Sequence, residues 1–136
     1  MIFKSDFERR VYDSIFNRGG VCEYEPFAIP YVRTSKYTPD FVLHNGIIIE
    51  TKGRFVAADR AKHLLVKKQY PKYDIRFVFL SDRKINKNSK TRYTTWCEQK
   101  GYKYSLKYVP RSWFLEKPGD SAAELEKHYG YEFDWT

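Results

Sequence analysis

A mixed α/β domain, with helices packed on a small sheet, is predicted by three features of this 136-residue chain. Short apolar runs at Phe41-Val42-Leu43 and Ile47-Ile48-Ile49 flank a His44-Asn45-Gly46 turn, which is a hairpin signature. A third, nearly all-apolar run fills Ile75–Leu80. Around these lie segments with helical spacing and recognisable ends. The order helix, hairpin, helix, strand, helix is that of a sheet whose crossovers are helical.

Ser5-Asp6-Phe7-Glu8 has the form of a capping box, in which the serine oxygen accepts from an amide three residues on and the glutamate reaches back. Phe7, Val11 and Ile15 continue at helical spacing, and Gly19-Gly20 end the helix. Pro26 and Pro30 make Val21–Phe27 an edge strand or a connector, and Ile29–Tyr37 reads as an extended bridge. After the hairpin, a second helix is expected over Asp59–Gln69, capped by Asp59, burying Ala61, Leu64 and Leu65, and closed by Pro71. Ile75–Leu80 fits a strand covered on both faces. Residues 81–92 read as a basic loop, Thr95–Lys100 as a short helix ended by Gly101, and Tyr102–Val109 as a strand. Pro110 opens a last helical turn through Trp113. Residues 1–115 thus make one domain and 116–136 an acidic C-terminal tail.

Charge separates the same two parts. The chain carries 25 Lys and Arg against 17 Asp and Glu, a net charge of +8. Residues 116–136 hold six carboxylates and two lysines, so residues 1–115 carry +12. A body that basic favours a polyanionic partner, because each phosphate it neutralises releases condensed counterions. Disorder is excluded by 42% apolar and 18% aromatic residues. Aliphatic runs such as Ile47–Ile49, no more than three residues long, are far too short to span a membrane. Cys22 and Cys97 offer neither metal-ligand spacing nor a disulfide framework, and the charged N-terminus is no signal peptide. The expectation is a soluble cytoplasmic protein without a membrane partner.

The chemistry sits at the ends of the hairpin strands. Asp40 is followed, after nine residues, by Glu50-Thr51-Lys52. Glu50 and Lys52 are two apart and share a face of their strand. Loop length decides whether Asp40 joins them. A two-residue Asn45-Gly46 turn pairs Asp40 with Thr51 and aims it away from Glu50. A three-residue His44-Asn45-Gly46 loop with Gly46 left-handed places Asp40 directly across from Glu50, at ~5 Å between Cβ atoms. The three-residue loop, or an equivalent bulge, is the expectation. Phosphodiester hydrolysis needs a hard cation such as Mg²⁺ on one or two carboxylates, to activate water and stabilise phosphate charge, and an ammonium suits the same task. The blander alternative is a surface strand with a weak Glu50–Lys52 ladder pair. Polar groups at the tips of core strands, however, are costly unless used. For Glu8 the helix cap is a sufficient reason, although its place at the edge of the apolar stripe would let it reach inward.

Tyr37-Thr38-Pro39-Asp40-Phe41, Asn45-Gly46-Ile47 and Glu50-Thr51-Lys52-Gly53 are together similar to the PD-(D/E)XK nuclease motif. Adding Asp59-Arg60, Lys62-His63-Leu64-Leu65, Asp74-Ile75-Arg76, Val78-Phe79 and Phe7-Glu8, the chain resembles the phage endonuclease I family over most of its length. That resemblance implies a restriction-endonuclease-like mixed sheet flanked by helices, and an intertwined, strand-exchanged homodimer with the bridge near residues 29–37 as the exchanged segment. It implies resolution of four-way and other branched DNA junctions by metal-dependent hydrolysis, leaving 5′-phosphates, in the bacterial host cytoplasm. Asp40, Glu50 and the Thr51 carbonyl become ligands of Mg²⁺, with Mn²⁺ as substitute. Lys52 becomes the catalytic amine. Glu8 becomes a further acidic residue of the catalytic and metal site, contributed by the other chain to a composite centre. The acidic C-terminus departs from the basic one of better-known members.

For DNA contacts, Arg83, Lys84, Lys87, Lys90 and Arg92 offer five cations within ten positions, suited to phosphates rather than base edges. Arg54 follows the catalytic strand. Arg60, His63 and Lys67 are expected on a helical stripe away from Ala61, Leu64 and Leu65, with Lys62 beside them. No interleaved aromatic platform is evident, so recognition should rest on shape and phosphate position. A less selective nuclease of the same fold and a non-catalytic junction-binding protein are the alternatives.

Overall fold

The computed structural model of the chain describes residues 2–130, which divide into two compact units with the boundary between Ser35 and Lys36. In the first unit, α1 spans Asp6–Asn17. Ser5 caps it, its Oγ accepting from the Glu8 amide at 3.2 Å, so half of the expected capping box forms. The Glu8 carboxylate takes the Ser5 hydroxyl (3.4 Å) and the Tyr24 hydroxyl (3.1 Å) instead of the cap's backbone amide. Gly19, at φ +86°, and the Gly20 amide bonded to the Ile15 carbonyl close the helix. No residue of α1 is buried. Phe7, Val11 and Ile15 keep 66%, 43% and 37% of their surface exposed. Residues 18–35 contain no strand, so Val21–Phe27 is a connector.

The second unit holds a four-stranded mixed sheet in the order β1 (Phe41–Val42), β2 (Ile48–Lys52), β3 (Ile75–Phe79), β4 (Tyr104–Leu106). β1 runs antiparallel to β2, and β3 and β4 continue parallel. The parallel steps are bridged by α2 (Ala57–Gln69) and α3 (Tyr93–Lys100), as parallel strands require. α3 ends at Gly101 in the left-handed conformation, and α4 (Arg111–Phe114) follows Pro110.

Period-two alternation divides the core between the two faces of the sheet. On one face Ile48, Phe77 and Phe79 pack with Phe55, Trp96 and Tyr102. On the other Ile47, Ile49 and Val78 pack with Trp113. β3 is buried at all five positions, the two-sided cover that its apolar run predicts.

Two expectations are corrected. The buried residue of α2 is His63, while Ala61, Leu64 and Leu65 are exposed. An imidazole edge fits against the Phe77 ring, at 4.9 Å between centroids, and that contact turns the leucines outward. Residues 116–130 are not a separate tail. Asp120–Tyr129 form a further helix, α5, whose Ser121, Ala122 and Leu125 are buried against the main core. Glu116 reaches the buried Arg76, which also pairs with Asp74 (2.8 Å) and lies over the Trp113 ring (5.2 Å). The last six residues of the expected tail lie outside the described ones.

Candidate active site

The hairpin register decides the site. Phe41 pairs with Ile49 and Val42 with Ile48, and the Leu43 amide donates to the Ile47 carbonyl at 2.8 Å. The loop is therefore the three-residue His44-Asn45-Gly46, with Gly46 at φ +86°. Only a residue without a Cβ adopts that conformation without strain. Continued by one position, this register brings Asp40 across from Glu50, and the Asp40 amide donates to Glu50 Oε1 at 3.2 Å.

Each carboxylate is held by one oxygen. Asp40 Oδ2 accepts from the Thr51 amide (2.8 Å) and the Thr51 hydroxyl (3.0 Å). Glu50 Oε1 accepts from the Asp40 amide and the Tyr37 hydroxyl. Among the described residues, Asp40 Oδ1 and Glu50 Oε2 have no hydrogen-bond partner. Asp40 and Thr51 are exposed at the mouth, whereas Glu50 is only 2% exposed. Burial pushes the Glu50 carboxyl above the usual range, against the opposing effect of its two hydrogen bonds. Burial and the hydrogen bond to Glu50 push the Tyr37 hydroxyl upward as well, so it stays a donor.

Lys52 lies on the same strand face as Glu50. Its Nζ is 3.8 Å from Asp59 of α2, and both side chains are largely shielded. Asp59 is thus not the helix cap that its position predicted; α2 starts at Ala57, two residues earlier, behind Val56.

Asp40, Glu50, Thr51 and Lys52 are brought together by the β1–β2 pair. Glu8 belongs to the first unit, where it is bound to Ser5 and Tyr24. Among the described residues no group of three His, Cys, Asp or Glu side chains gathers as a metal cage. Two carboxylates with water are, however, what Mg²⁺ ordinarily uses. The donor set fits such an ion: Glu50 is a buried carboxylate without an ion-pair partner among the described residues, and both acids present a free oxygen. Tyr37, missed as a site residue, is legible only in hindsight from its place three residues before Asp40.

A family model described as phage endonuclease I matches residues 1–128. The chain belongs to that family. It is 44% identical to Endonuclease I of Escherichia phage T7 over 118 residues, covering 84% of this chain and 79% of that protein. It is also 46% identical to Endodeoxyribonuclease 1 of Enterobacteria phage T3 over 112 residues, 79% of this chain and 74% of the relative.

The cations expected to meet DNA divide by what already occupies them. Arg54, Arg83, Lys84, Lys87 and Lys90 are exposed and, among the described residues, form no salt bridge. Arg92 is tied to Asp82, through its Nε at 3.1 Å and Nη2 to the carbonyl at 2.8 Å. Arg60 bonds the Phe55 carbonyl (2.5 Å), Lys67 bonds the Lys100 carbonyl at the end of α3 (2.6 Å), and Lys62 lies 5.8 Å from the Tyr37 ring centre. His63 is fully buried between Tyr37 and Phe77, with neither ring nitrogen hydrogen-bonded. Its position in the core puts it out of contact with a phosphate. Burial, followed by the charges of Lys52 and Lys62, lowers its pKa to about 4.

Proposed function

We propose that this chain is a metal-dependent endodeoxyribonuclease that resolves four-way and other branched DNA junctions. The observation that carries the chemistry is the opposition of Asp40 and Glu50 across the hairpin, with Lys52 two residues on. The name of the T3 relative supplies DNA as the substrate class. The +12 body supports a phosphate-dominated interface.

Asp40, Glu50 and the Thr51 carbonyl would hold Mg²⁺, and Mn²⁺ would substitute. When bound, the ion supplies Lewis-acid stabilisation of the attacked phosphate and makes water a competent nucleophile. The remaining work falls to the chain itself. Tyr37 and the Asp40 amide orient Glu50 by one oxygen, and Thr51 orients Asp40 by one oxygen, so the carboxylates need not reorganise. The Lys52 ammonium, restrained near Asp59, places a positive charge beside them to position water and share charge on the phosphate. Cutting leaves a 5′-phosphate.

The working form is an intertwined homodimer of restriction-endonuclease-like subunits, with the extended bridge near residues 29–37 exchanged. The exposed apolar stripe Phe7, Val11 and Ile15 supports this, because such a face is normally covered. Glu8 from one chain would then complete the site of the other, and two sites would cut opposing strands of one junction. The protein would act in the cytoplasm of the phage's bacterial host; among the described residues no helix is long and apolar enough to cross a membrane.

The test is cleavage of an immobile four-way junction beside its matched linear duplex, with Mg²⁺ and with EDTA. Paired, Mg²⁺-dependent cuts near the branch with an intact duplex are expected. Equal cutting of both substrates would leave a general nuclease, and binding without cutting would leave a junction-binding protein.

A further inference from the structure

We propose that the cleft between the end of β2 and the loop following β3 is a site for one backbone phosphate of the strand being cut, close to the scissile phosphate; this rests on the nuclease reading above. The cleft encloses about 320 Å³ and is lined by Arg54, Arg83, Lys84 and Lys87, with Asn86 and Tyr93. Four cations around one concavity repel each other, and none has an acidic partner among the described residues. The sole carboxylate of residues 81–92 is Asp82. Asp82 is consumed elsewhere: its side chain binds Arg92 at 3.1 Å and, at the start of α3, the Thr94 amide (3.2 Å) and hydroxyl (2.9 Å). The fold thus neutralises Arg92 and leaves the cleft uncompensated. An anion is the missing partner.

The loop is also held in shape before any ligand arrives. Lys84 and Arg92 form a bridge, the Ile85 amide donates to the Thr91 carbonyl (2.8 Å), and the Tyr93 amide donates to the Arg83 carbonyl (2.8 Å). Ordering is therefore largely complete, and binding spends little entropy on it. The two aromatic residues in the wall, Phe55 and Tyr93, are 1% and 6% exposed and offer no face for a base. That leaves phosphate, which the exposed guanidinium and ammonium groups suit. Arg54 lies two residues beyond Lys52, in the bend that follows β2, so the two are at most about 7 Å apart along the chain. At about 3.4 Å of helix axis per nucleotide, the phosphate held here is one or two nucleotides from the cut.

The experiment measures binding, in EDTA, to junctions in which a neutral methylphosphonate replaces one phosphate at a time on either side of the cut. For the unaltered protein, one or two adjacent positions should each weaken binding about tenfold. An Arg83→Ala/Lys87→Ala protein should start about tenfold weaker, lose nothing further at those positions, and respond normally elsewhere. Losses that multiply at every position, or no sensitive position at all, would overturn the site, as would failure of the unaltered protein to bind. An Arg83→Lys/Lys87→Arg protein, which keeps the charges, should retain sensitivity and controls for a collapsed loop. Cleavage of the unmodified junction in Mg²⁺ is scored separately. A sensitive position without cutting would keep the phosphate site and reject the nuclease reading.

Discussion

A Cβ placed on Gly46 would lie 2.5 Å from the Cα of Ala122, so the hairpin turn and α5 meet backbone against backbone. Ser121 Oγ donates to the Gly46 carbonyl at 2.6 Å. Asn45 Nδ2 donates to the carbonyls of Trp113 (2.7 Å) and Glu116 (3.0 Å). The C-terminal segment therefore clamps the same loop whose length opposes Asp40 to Glu50. Gly46→Ala should destabilise the fold by about 3 kcal/mol or more, from the left-handed φ and the contact together. Ser121→Ala should cost about 1 kcal/mol, the scale of one buried hydrogen bond. Thermal unfolding reads both, and a Mn²⁺ titration below the melting transition should show weaker binding in each. An unchanged melting temperature in Gly46→Ala would refute the close approach.

The two carboxylates and the amine are expected to separate chemistry from binding. Asp40→Asn and Lys52→Ala should each lower the single-turnover rate by at least about 10³-fold. Junction affinity, measured in EDTA, should stay within about tenfold, because in the proposed interface most phosphate contacts are made by other cations. An equal loss of binding would remove both residues from the catalytic assignment.

Composite sites make a prediction about mixtures. A Glu8→Ala chain and an Asp40→Asn chain, each inactive alone, should regain cutting when unfolded and refolded together, because each heterodimer contains one intact site. Nicking of one strand rather than paired cutting is the expected product. If the mixture stays inactive while heterodimers are present, each site is built within one chain.

Burial of His63 gives the fold a pH dependence of definite sign. Its pKa is lowered to about 4 in the folded chain, so between there and the ordinary value near 6.5 the unfolded state binds more protons. The stability linked to His63 is thus complete above about pH 6.5 and is lost as pH falls towards 4, about 3 kcal/mol in all. Glu50, whose carboxyl is raised by burial, acts in the opposite direction, losing its contribution as pH rises. Comparison with a His63→Leu protein isolates the histidine. That variant should be at least as stable at pH 7.5, since it removes two unpartnered buried nitrogens, and should lack the acid loss. Parallel denaturation curves for the two proteins from pH 4 to 6.5 would contradict this.

Much of the site was legible in the residue order. Loop length and one glycine set a period-two register, and strand alternation then dictates which side chains share a face, so Asp40, Glu50 and Lys52 follow from local rules. Charge likewise pointed to a polyanion. Local rules failed where burial depended on what a distant element offered. Leu64 and Leu65 looked like core, but the aromatic floor around Phe77 accepts His63 instead. Residues 116–130 looked like a solvated acidic end, because net charge hides the three residues, Ser121, Ala122 and Leu125, that dock α5. The contacts of Tyr37 and Asp59 had no local signal; only packing across 13 and 7 residues brings them to Glu50 and Lys52. The sequence by itself determined the hairpin, the shared strand face of Glu50 and Lys52, and the charge, since these depend on neighbours along the chain, while the choice between the two loop lengths came with the fold. Tertiary structure alone decided which polar groups are buried, paired or left open, because desolvation depends on everything that packs around them.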